Sequence, residues 1–340
     1  MKKKWDRGSL RAWVVTGLLT LIFSAGAMAA SKNDKAYVVN IDSVSVIDTT
    51  NNTVVATIPT QEDAVGAAVT PDGSRVYVTI DGFGAGNTVL AIDTATNAII
   101  QTIQVGNGPI FDAISPDGQR VYVVNFVDNT TSVIDTSSNT VIATIPVGSV
   151  PLAVTVSPDG ERVYVTNTFD NTVSVIDPQT NEVISTVPVD AGPIAVIVAP
   201  DSHHVYVANA FGNTVSVIDT GSNTVIATIP AGNFPDGVVV TPDGQTLYCS
   251  NNLDGNVVAI STKTNQITAT IPVGEFPITV ALTRDGRQLY AANLGSGTAT
   301  VIDTSTNTVS TTVTVGTRPT TVALQPMHVE DRGGNDGDQP

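Results

Sequence analysis

The chain is poor in the residues from which most metal, redox and covalent sites are built. Its 340 residues include one Cys, three His and two Trp, and only 5% are aromatic. A single Cys excludes a disulfide framework, a cysteine-ligated zinc site and a c-type haem, which needs two Cys. The three His residues, His203, His204 and His328, leave little material for a histidine metal cage or a Ser-His-Asp relay.

Cations are scarce as well. The chain has 15 Lys and Arg against 31 Asp and Glu, a formal net charge of −16, and a mean hydropathy of +0.17. That hydropathy is too apolar for a disordered chain. The excess of acid repels phosphate backbones, so general nucleic-acid binding is disfavoured, whereas cations and basic partners are favoured.

The first thirty residues have the three-part pattern of a secretory signal peptide. Five cations lie between Lys2 and Arg11, an apolar run covers residues 12–23, and Ala27 and Ala29 form an A-x-A cleavage pattern. The run is short for a membrane-spanning helix, although an uncleaved anchor is the alternative interpretation. We expect residues 1–30 to be removed on export to the periplasm or the exterior, with no membrane span afterwards. Five of the 15 cations and one of the 31 anions leave with this segment, so the mature chain carries 10 against 30, a net charge of −20.

Beyond this segment the sequence repeats with a period of about 42 residues. A triplet ending in Asp, or once in Ser, recurs seven times, first after 45 residues and then every 42, and a Tyr recurs in step. The triplets end at Asp48, Asp93, Asp135, Asp177, Asp219, Ser261 and Asp303, and the tyrosines are Tyr37, Tyr77, Tyr122, Tyr164, Tyr206, Tyr248 and Tyr290. Each copy has four short runs rich in Val, Ile, Thr and Tyr between turn residues, which is typical of β-strands.

Four-stranded units of about 40–45 residues predict the blades of a β-propeller. We name the strands of a blade a to d, from the axis outward. The first copy lacks an a strand, whereas residues 319–325 supply one extra a strand after the last copy. The prediction is an all-β, seven-bladed propeller over residues 31–326, with four antiparallel strands per blade and a ring closed by the C-terminal innermost strand. Residues 327–340 are polar and Gly-rich and are expected to form a disordered tail.

The motif Tyr164-Val165-Thr166-Asn167 resembles the signature of the YVTN β-propeller family. Variants of it begin at Tyr37, Tyr122, Tyr206, Tyr248 and Tyr290, whereas blade two departs from it, with Ile80 in place of the Asn. The resemblance covers essentially the whole mature chain. It implies seven blades and export, as in secreted, periplasmic or surface-layer proteins, and it implies no reaction.

Polar residues that recur in every blade are predicted to be structural. An Asn follows each triplet by four positions, and Asn tolerates the left-handed conformation of a tight c–d turn. These are Asn52, Asn97, Asn139, Asn181, Asn223, Asn265 and Asn307. The aspartates of the triplets can cap the same turns through Asx hydrogen bonds, and Pro-Asp-Gly triplets turn strand a into strand b.

Departures from the repeat are the candidates for function. The d–a loops and b–c loops of a propeller share one face, around the mouth of the central channel. Asp112 stands where most a strands have Val, and Asp236 stands where the others have an apolar residue or Thr. Glu62, Asp63, Glu275 and Arg318 lie just before the a strands. Acids at such positions indicate either a water-filled channel wall or a site for a ligand or a divalent cation, because an unpaired buried charge is costly.

Two other sequence features are weaker indications of a functional site. His203 and His204 are adjacent in the a–b turn on the opposite face, where neighbouring residues point to different sides and chelate one ion poorly. Cys249 takes the place of a repeated core residue and is expected to be a free, buried thiol.

Three functions remain open at this point. The preferred hypothesis is an exported, non-catalytic propeller, expected to be a monomer without a resident cofactor, that binds a small ligand, a cation or a protein partner at the channel mouth. The alternatives are a structural, adhesion or surface-layer protein and a lactonase-like hydrolase, since a fold alone does not fix function.

Overall fold

The computed structural model describes residues 35–60, 63–81 and 84–324. Within these ranges the chain forms 28 β-strands. No helix in the same ranges is long and apolar enough to cross a membrane. The predicted signal segment, Glu62 and the C-terminal tail lie outside the described residues.

The strands form seven four-stranded antiparallel sheets, each of which runs from strand a at the axis to strand d at the rim. Blade one contains β28 (Thr321–Leu324), β1 (Lys35–Asn40), β2 (Ser43–Asp48) and β3 (Thr53–Pro59). Blade two contains β4 (Ala64–Val69), β5 (Arg75–Ile80), β6 (Thr88–Asp93) and β7 (Ala98–Gln104). Blade three contains β8 (Pro109–Ile114), β9 (Arg120–Asn125), β10 (Thr130–Asp135) and β11 (Thr140–Pro146).

The other four blades repeat this order with nearly constant strand lengths. Blade four contains β12 (Pro151–Val156), β13 (Val163–Asn167), β14 (Thr172–Asp177) and β15 (Glu182–Pro188). Blade five contains β16 (Pro193–Val198), β17 (His204–Asn209), β18 (Thr214–Asp219) and β19 (Thr224–Pro230). Blade six contains β20 (Pro235–Val240), β21 (Thr246–Asn251), β22 (Asn256–Ser261) and β23 (Gln266–Pro272). Blade seven contains β24 (Pro277–Leu282), β25 (Gln288–Asn293), β26 (Thr298–Asp303) and β27 (Thr308–Thr314).

The ring closes as the sequence predicts. The seven a strands contact one another in a closed cycle, in which β28 lies between β24 and β4. Strand β28 pairs antiparallel with β1, so that Leu324 lies opposite Ala36 and Thr321 lies opposite Val39. The Thr320 hydroxyl donates to the carbonyl oxygens of Val39 and Val65, at 3.1 Å each. The C-terminal segment therefore completes blade one and also bonds it to blade two.

Three of the repeated Tyr residues are hydrogen-bonded to a repeated Asn of the next blade. All seven Asn residues adopt left-handed φ values between 51° and 56°, as predicted. Tyr77 Oη donates to Asn139 Oδ1 and Tyr248 Oη to Asn307 Oδ1, each at 2.7 Å and each in the next blade. Tyr290 donates to Asn52 in the same way across the closure. Burial raises the pKa of Tyr248 to about 12, so the hydroxyl stays a donor at neutral pH.

Loss of one of these bonds should be measurable as a loss of stability. Tyr248→Phe leaves Asn307 Oδ1 without its donor and is expected to cost about 1 kcal/mol in the free energy of unfolding. Tyr164 is the matched control, because its buried hydroxyl makes no hydrogen bond, and Tyr164→Phe should change stability by less than about 0.5 kcal/mol. Denaturant unfolding compares the two variants, and equal losses would contradict a bonding role for the Tyr248 hydroxyl.

The outermost strand of every blade contains one β-bulge. The register against strand c shifts at the same point in all seven blades. In blade five the bulge leaves Ile226 unpaired and 56% exposed. Bulges on edge strands disturb the row of free backbone groups that would otherwise pair with another chain. The rim of the ring is thereby protected against edge-to-edge association.

Candidate functional site

One face of the ring is formed by the d–a loops and the b–c loops, and we call it the mouth face. Within a blade, an Asp of the b–c loop accepts a hydrogen bond from a backbone N–H of the d–a loop. Asn107 N donates to Asp128 Oδ2 at 2.8 Å, Ser149 N to Asp170 Oδ2 at 2.7 Å, and Asn233 N to Asp254 Oδ2 at 2.9 Å. These loop aspartates have an architectural role.

Neighbouring blades are joined on the same face. Asn129 Oδ1 accepts a hydrogen bond from Val150 N at 2.9 Å, and Asn213 Oδ1 accepts one from Phe234 N at 3.0 Å. Val150 and Phe234, which precede the proline of an a strand, have φ values of 54° and 57°. This left-handed conformation is uncommon for side chains of this kind, and the acceptor from the preceding blade helps to hold it.

The ring axis is closed by an apolar layer below the mouth face. The second residues of the seven aligned a strands are Val65, Ile110, Leu152, Ile194, Asp236, Ile278 and Thr320, and none is more than 9% exposed. The five apolar members belong to one hydrophobic cluster. Ile278 belongs to it although its neighbours around the ring, Asp236 and Thr320, are polar, so the contact runs across the axis. The expected water-filled channel wall does not describe this layer.

Asp112 lies in β8, opposite Val123 of β9. It is 4% exposed, and neither carboxylate oxygen has a hydrogen-bond partner. The side chain lies at the interface with blade two, near the backbone N–H of Ala68. Burial raises the pKa of Asp112 well above its ordinary value, and the nearby N–H groups of Asp112 and Ala68 lower it by less. The carboxyl group is therefore held in conditions that favour its protonated form or a cation beside it.

Asp236 lies in β20 and is completely buried. Its Oδ2 accepts a hydrogen bond from Asn252 Nδ2 at 3.1 Å, and Asn252 is itself only 5% exposed. Blades three and six are as far apart as two blades of a seven-membered ring can be. The structure therefore places the two predicted acids on opposite sides of the axis and does not bring them together.

The remaining predicted residues are spread around the mouth face. Asp63 is half-buried and its carbonyl oxygen accepts a hydrogen bond from Asp81 N at 3.0 Å. Glu275 is exposed, and its backbone N donates to Ser296 Oγ at 2.8 Å. Arg318 is half-buried with a φ of 51°. Glu62 lies outside the described residues.

Sequence reasoning missed Asp81. It is 2% exposed, and its Oδ2 accepts a hydrogen bond from Gly84 N at 2.9 Å. The other blades have Ile41, Phe126, Thr168, Ala210, Asn252 and Leu294 at this position, the first after strand b. Aligning that position, as the a strands were aligned, would have found it.

The described side chains offer carboxyl groups but few other reactive groups. No three of the described His, Cys, Asp and Glu residues are grouped as metal ligands. His203 lies in the a–b turn on the opposite face, and His204 is the first residue of β17. Cys249 is a free and fully buried thiol, as predicted. The mouth face can hold cations and hydrogen-bond donors by charge.

Comparison with known proteins supports the fold, and two family profiles each match a part of the chain. A profile described as YNCE-like beta-propeller matches residues 109–201, and one described as Lactonase, 7-bladed beta-propeller, matches residues 186–326. Each profile covers less than half of the chain. Comparison with curated proteins gives no significant match. The resemblance to the YVTN family in particular stays a prediction.

Solved structures of similar shape come from several bacteria. The Kuenenia stuttgartiensis hydrazine synthase has a TM-score of 0.70 and 24% identity over 77% of this chain and 90% of that chain. A functionally unknown protein from Desulfotomaculum acetoxidans has a TM-score of 0.76 and 20% identity over 85% and 98%. A "putative 6-phosphogluconolactonase" from Bacteroides uniformis has a TM-score of 0.70 and 18% identity over 86% and 99%. At these identities the likeness shows the fold alone. The chain is thus a seven-bladed β-propeller, similar in different parts to YNCE-like and to lactonase-type propellers.

Proposed function

We propose that the protein is a non-catalytic binding propeller that takes a small cationic ligand on the inner strand of blade three. The observation that carries the proposal is Asp112, a buried carboxyl group whose two oxygens have no hydrogen-bond partner. Most sister blades have Val at its position, so the fold itself does not require an acid there. Buried polar groups without partners are rare in native proteins, and those that persist often serve function at the expense of stability.

The chemistry of the site limits the ligand. Only 4% of Asp112 is exposed, so the group that reaches it is an ion or a primary ammonium rather than a bulky head group. Burial raises the pKa of Asp112, so protons compete with a cation for the carboxylate. Affinity for the ligand should therefore rise with pH. Export, proposed from the pattern of residues 2–29, would place this site in the periplasm or outside the cell.

The proposal is tested with defined probes. We expect one member of a panel of Ca²⁺, Mg²⁺, Zn²⁺ and small primary amines to raise the melting temperature of the wild-type protein by mass action. Calorimetry of that probe should show proton release, and Asp112→Asn should abolish binding. The control is Asp128→Asn on the mouth face of the same blade, which should keep the affinity. Retained binding in Asp112→Asn, or no shift with any probe, would contradict the proposal.

A second function, lactonase-like hydrolysis, has the profile match over residues 186–326 in its favour. The comparisons fit it better than they fit a non-catalytic role, since two similar structures are described as "putative 6-phosphogluconolactonases". The charge of the mouth face argues against a phosphorylated substrate. Arg318 is the one Lys or Arg in its described loops, whereas acids recur around it. A pH-stat assay with 6-phosphogluconolactone and with uncharged lactones decides between hydrolysis and non-catalytic binding. Turnover by the wild type that is lost in Asp236→Asn would establish that the protein is a hydrolase.

A further inference from the structure

Five of the six phenylalanines of the described chain lie in the loops of the mouth face. Phe126, Phe169 and Phe211 lie in b–c loops, Phe234 and Phe276 lie in d–a loops, and Phe111 lies in the inner strand β8. The tyrosines, in contrast, occupy the repeated core position of strand b and serve every blade alike. The non-repeated aromatic residues are thus a property of the mouth face and not of the blades.

Four of the loop side chains follow one another around the ring over blades five to seven, and we call them the apolar arc: Phe211, Phe234, Leu253 and Phe276. The rings of Phe211 and Phe234 lie 6.0 Å apart at 59°. Leu253 and Phe276 stand 42 residues after these two, so the repeat places them in the same relation one blade further on. Phe211 is 37% exposed, Leu253 53% and Phe276 45%.

The side chains of the apolar arc pack against neighbouring loops. A Cβ at Gly192 would lie 2.3 Å from Cδ2 of Phe211, and one at Gly295 would lie 2.7 Å from Cδ2 of Phe276. Phe211 N also donates to Ala191 O at 3.1 Å. Glycines in the adjoining loops therefore give the two rings room to lie against the backbone. Large apolar groups that are fixed, adjacent and exposed are characteristic of interaction sites.

The described mouth-face loops are acidic and almost without cations. They contain Asp42, Asp63, Asp81, Asp128, Asp170, Asp190, Asp254 and Glu275, with Arg318 as their one Lys or Arg. The other described cations lie toward the a–b and c–d turns, among further acids, where Lys35 Nζ donates to Thr94 O at 2.8 Å and Arg75 donates to Thr136 O. Beside the apolar arc, the mouth-face loops of blades five to seven contain Asp190, Asp254 and Glu275 and no Lys or Arg.

We propose that the apolar arc is a docking surface for a protein segment that is both basic and apolar. Complementary charge selects such a partner. A second copy of this chain would bring the same acidic face and be repelled, and an anionic membrane surface would be repelled for the same reason. The arc lies in blades five to seven, away from Asp112 in blade three, so this inference stands without the ligand site proposed above.

The test uses an array of 15-residue peptides in four classes, in which charge (Lys and Arg, or Glu and Asp) and bulk (Leu and Phe, or Ser) vary independently. Fluorescently labelled protein should bind the basic–apolar class, and its affinity should fall as salt rises. The double variant Leu253→Ser/Phe276→Ser should bind that class about tenfold or more weakly. Ile226→Ser, which removes a comparably exposed apolar side chain from the outer strand of blade five, is the control and should bind as wild type.

Several results would overturn the inference. Equal binding of the basic–apolar and basic–Ser classes would show that charge alone determines the affinity. Binding of the acidic–apolar class would show that apolar contact is unspecific. No binding of any class, or full binding by the arc variant, would also count against it. Asp112→Val should bind the array as wild type does, which separates a failure of the arc from a failure of the ligand site.

Discussion

A chain that ends at Val315 is expected to lose its cooperative fold. The truncation removes β28, whose Val322, Ala323 and Leu324 are at most 5% exposed. Burial of a Val or Leu side chain contributes about 1.5–3 kcal/mol, and the Thr320 hydrogen bonds to Val39 and Val65 are lost as well. The total approaches the whole stability of an ordinary domain, about 5–15 kcal/mol. Blade one would also present β1 as an open apolar edge.

The measurement is thermal unfolding with size-exclusion chromatography of the shortened protein. We expect aggregation, or a melting temperature lowered by tens of degrees. A chain ending at Met327 is the control, because it keeps β28, and it should melt like the full chain. An unchanged melting temperature after loss of residues 316–340 would show that the ring does not depend on this strand.

Replacement of Asp112 by Val is expected to stabilise the protein at neutral pH. The change removes a buried carboxyl group without hydrogen-bond partners and restores the residue that most sister blades have. A buried unsatisfied polar group costs about 1–3 kcal/mol, so the melting temperature should rise by several degrees. The same variant should lose the cationic ligand. This combination of higher stability and lost binding is the signature of a residue kept for function.

The pH dependence of this gain follows from the raised pKa of Asp112. Below the ordinary pKa of an Asp, about 3.9, the group is protonated in both folded and unfolded chains, so only the cost of burying a neutral polar group remains. As pH rises toward the folded pKa, the unfolded chain ionises first and wild-type stability falls, by at most about 1.4 kcal/mol per pH unit. The advantage of Asp112→Val should therefore be smallest near pH 4 and grow as the pH rises from there toward the folded pKa.

Two comparison variants complete this test. Asp112→Asn should remove the pH dependence while leaving a polar group in place. Val154→Asp puts an acid at the sister position of blade four and should lower stability. Loss of stability in Asp112→Val would mean that the carboxyl group supports the architecture, and the binding proposal would lose its main argument.

The fold could be predicted almost completely from the sequence because each blade repeats the same strand pattern and the same turn residues. The Asn at the c–d turn needs a left-handed conformation in every copy, and all seven adopt it. The aspartates of the triplets cap these turns as expected: Asp135 Oδ1 accepts hydrogen bonds from the hydroxyl of Ser137 and from Ser138, which lower its pKa to about 2. The first copy of the repeat lacks strand a, and the chain has a spare a strand after the last copy, which was enough to predict the closure.

The candidate site could be predicted only in part. Sequence alignment of the blades identified Asp112 and Asp236 as exceptions, but it could not give the direction of their side chains. Asp112 lies at the interface with blade two, and Asp236 lies in the axial layer with Ile278 and the other aligned second residues of the a strands. The apolar arc was not predicted, because its members lie in loops of irregular sequence and become neighbours only when the blades stand side by side.

The carboxyl carbon chemical shift of Asp112, followed by NMR across the pH range with and without the cation or amine from the binding panel, tests the central claim most directly. The account predicts that the Asp112 carboxyl group of the free protein titrates well above the ordinary range of an Asp and that the ligand lowers this pKa, with the signal absent in the Asp112→Asn control. An ordinary Asp titration in the free protein, or a titration that the ligand leaves unchanged, would contradict the account.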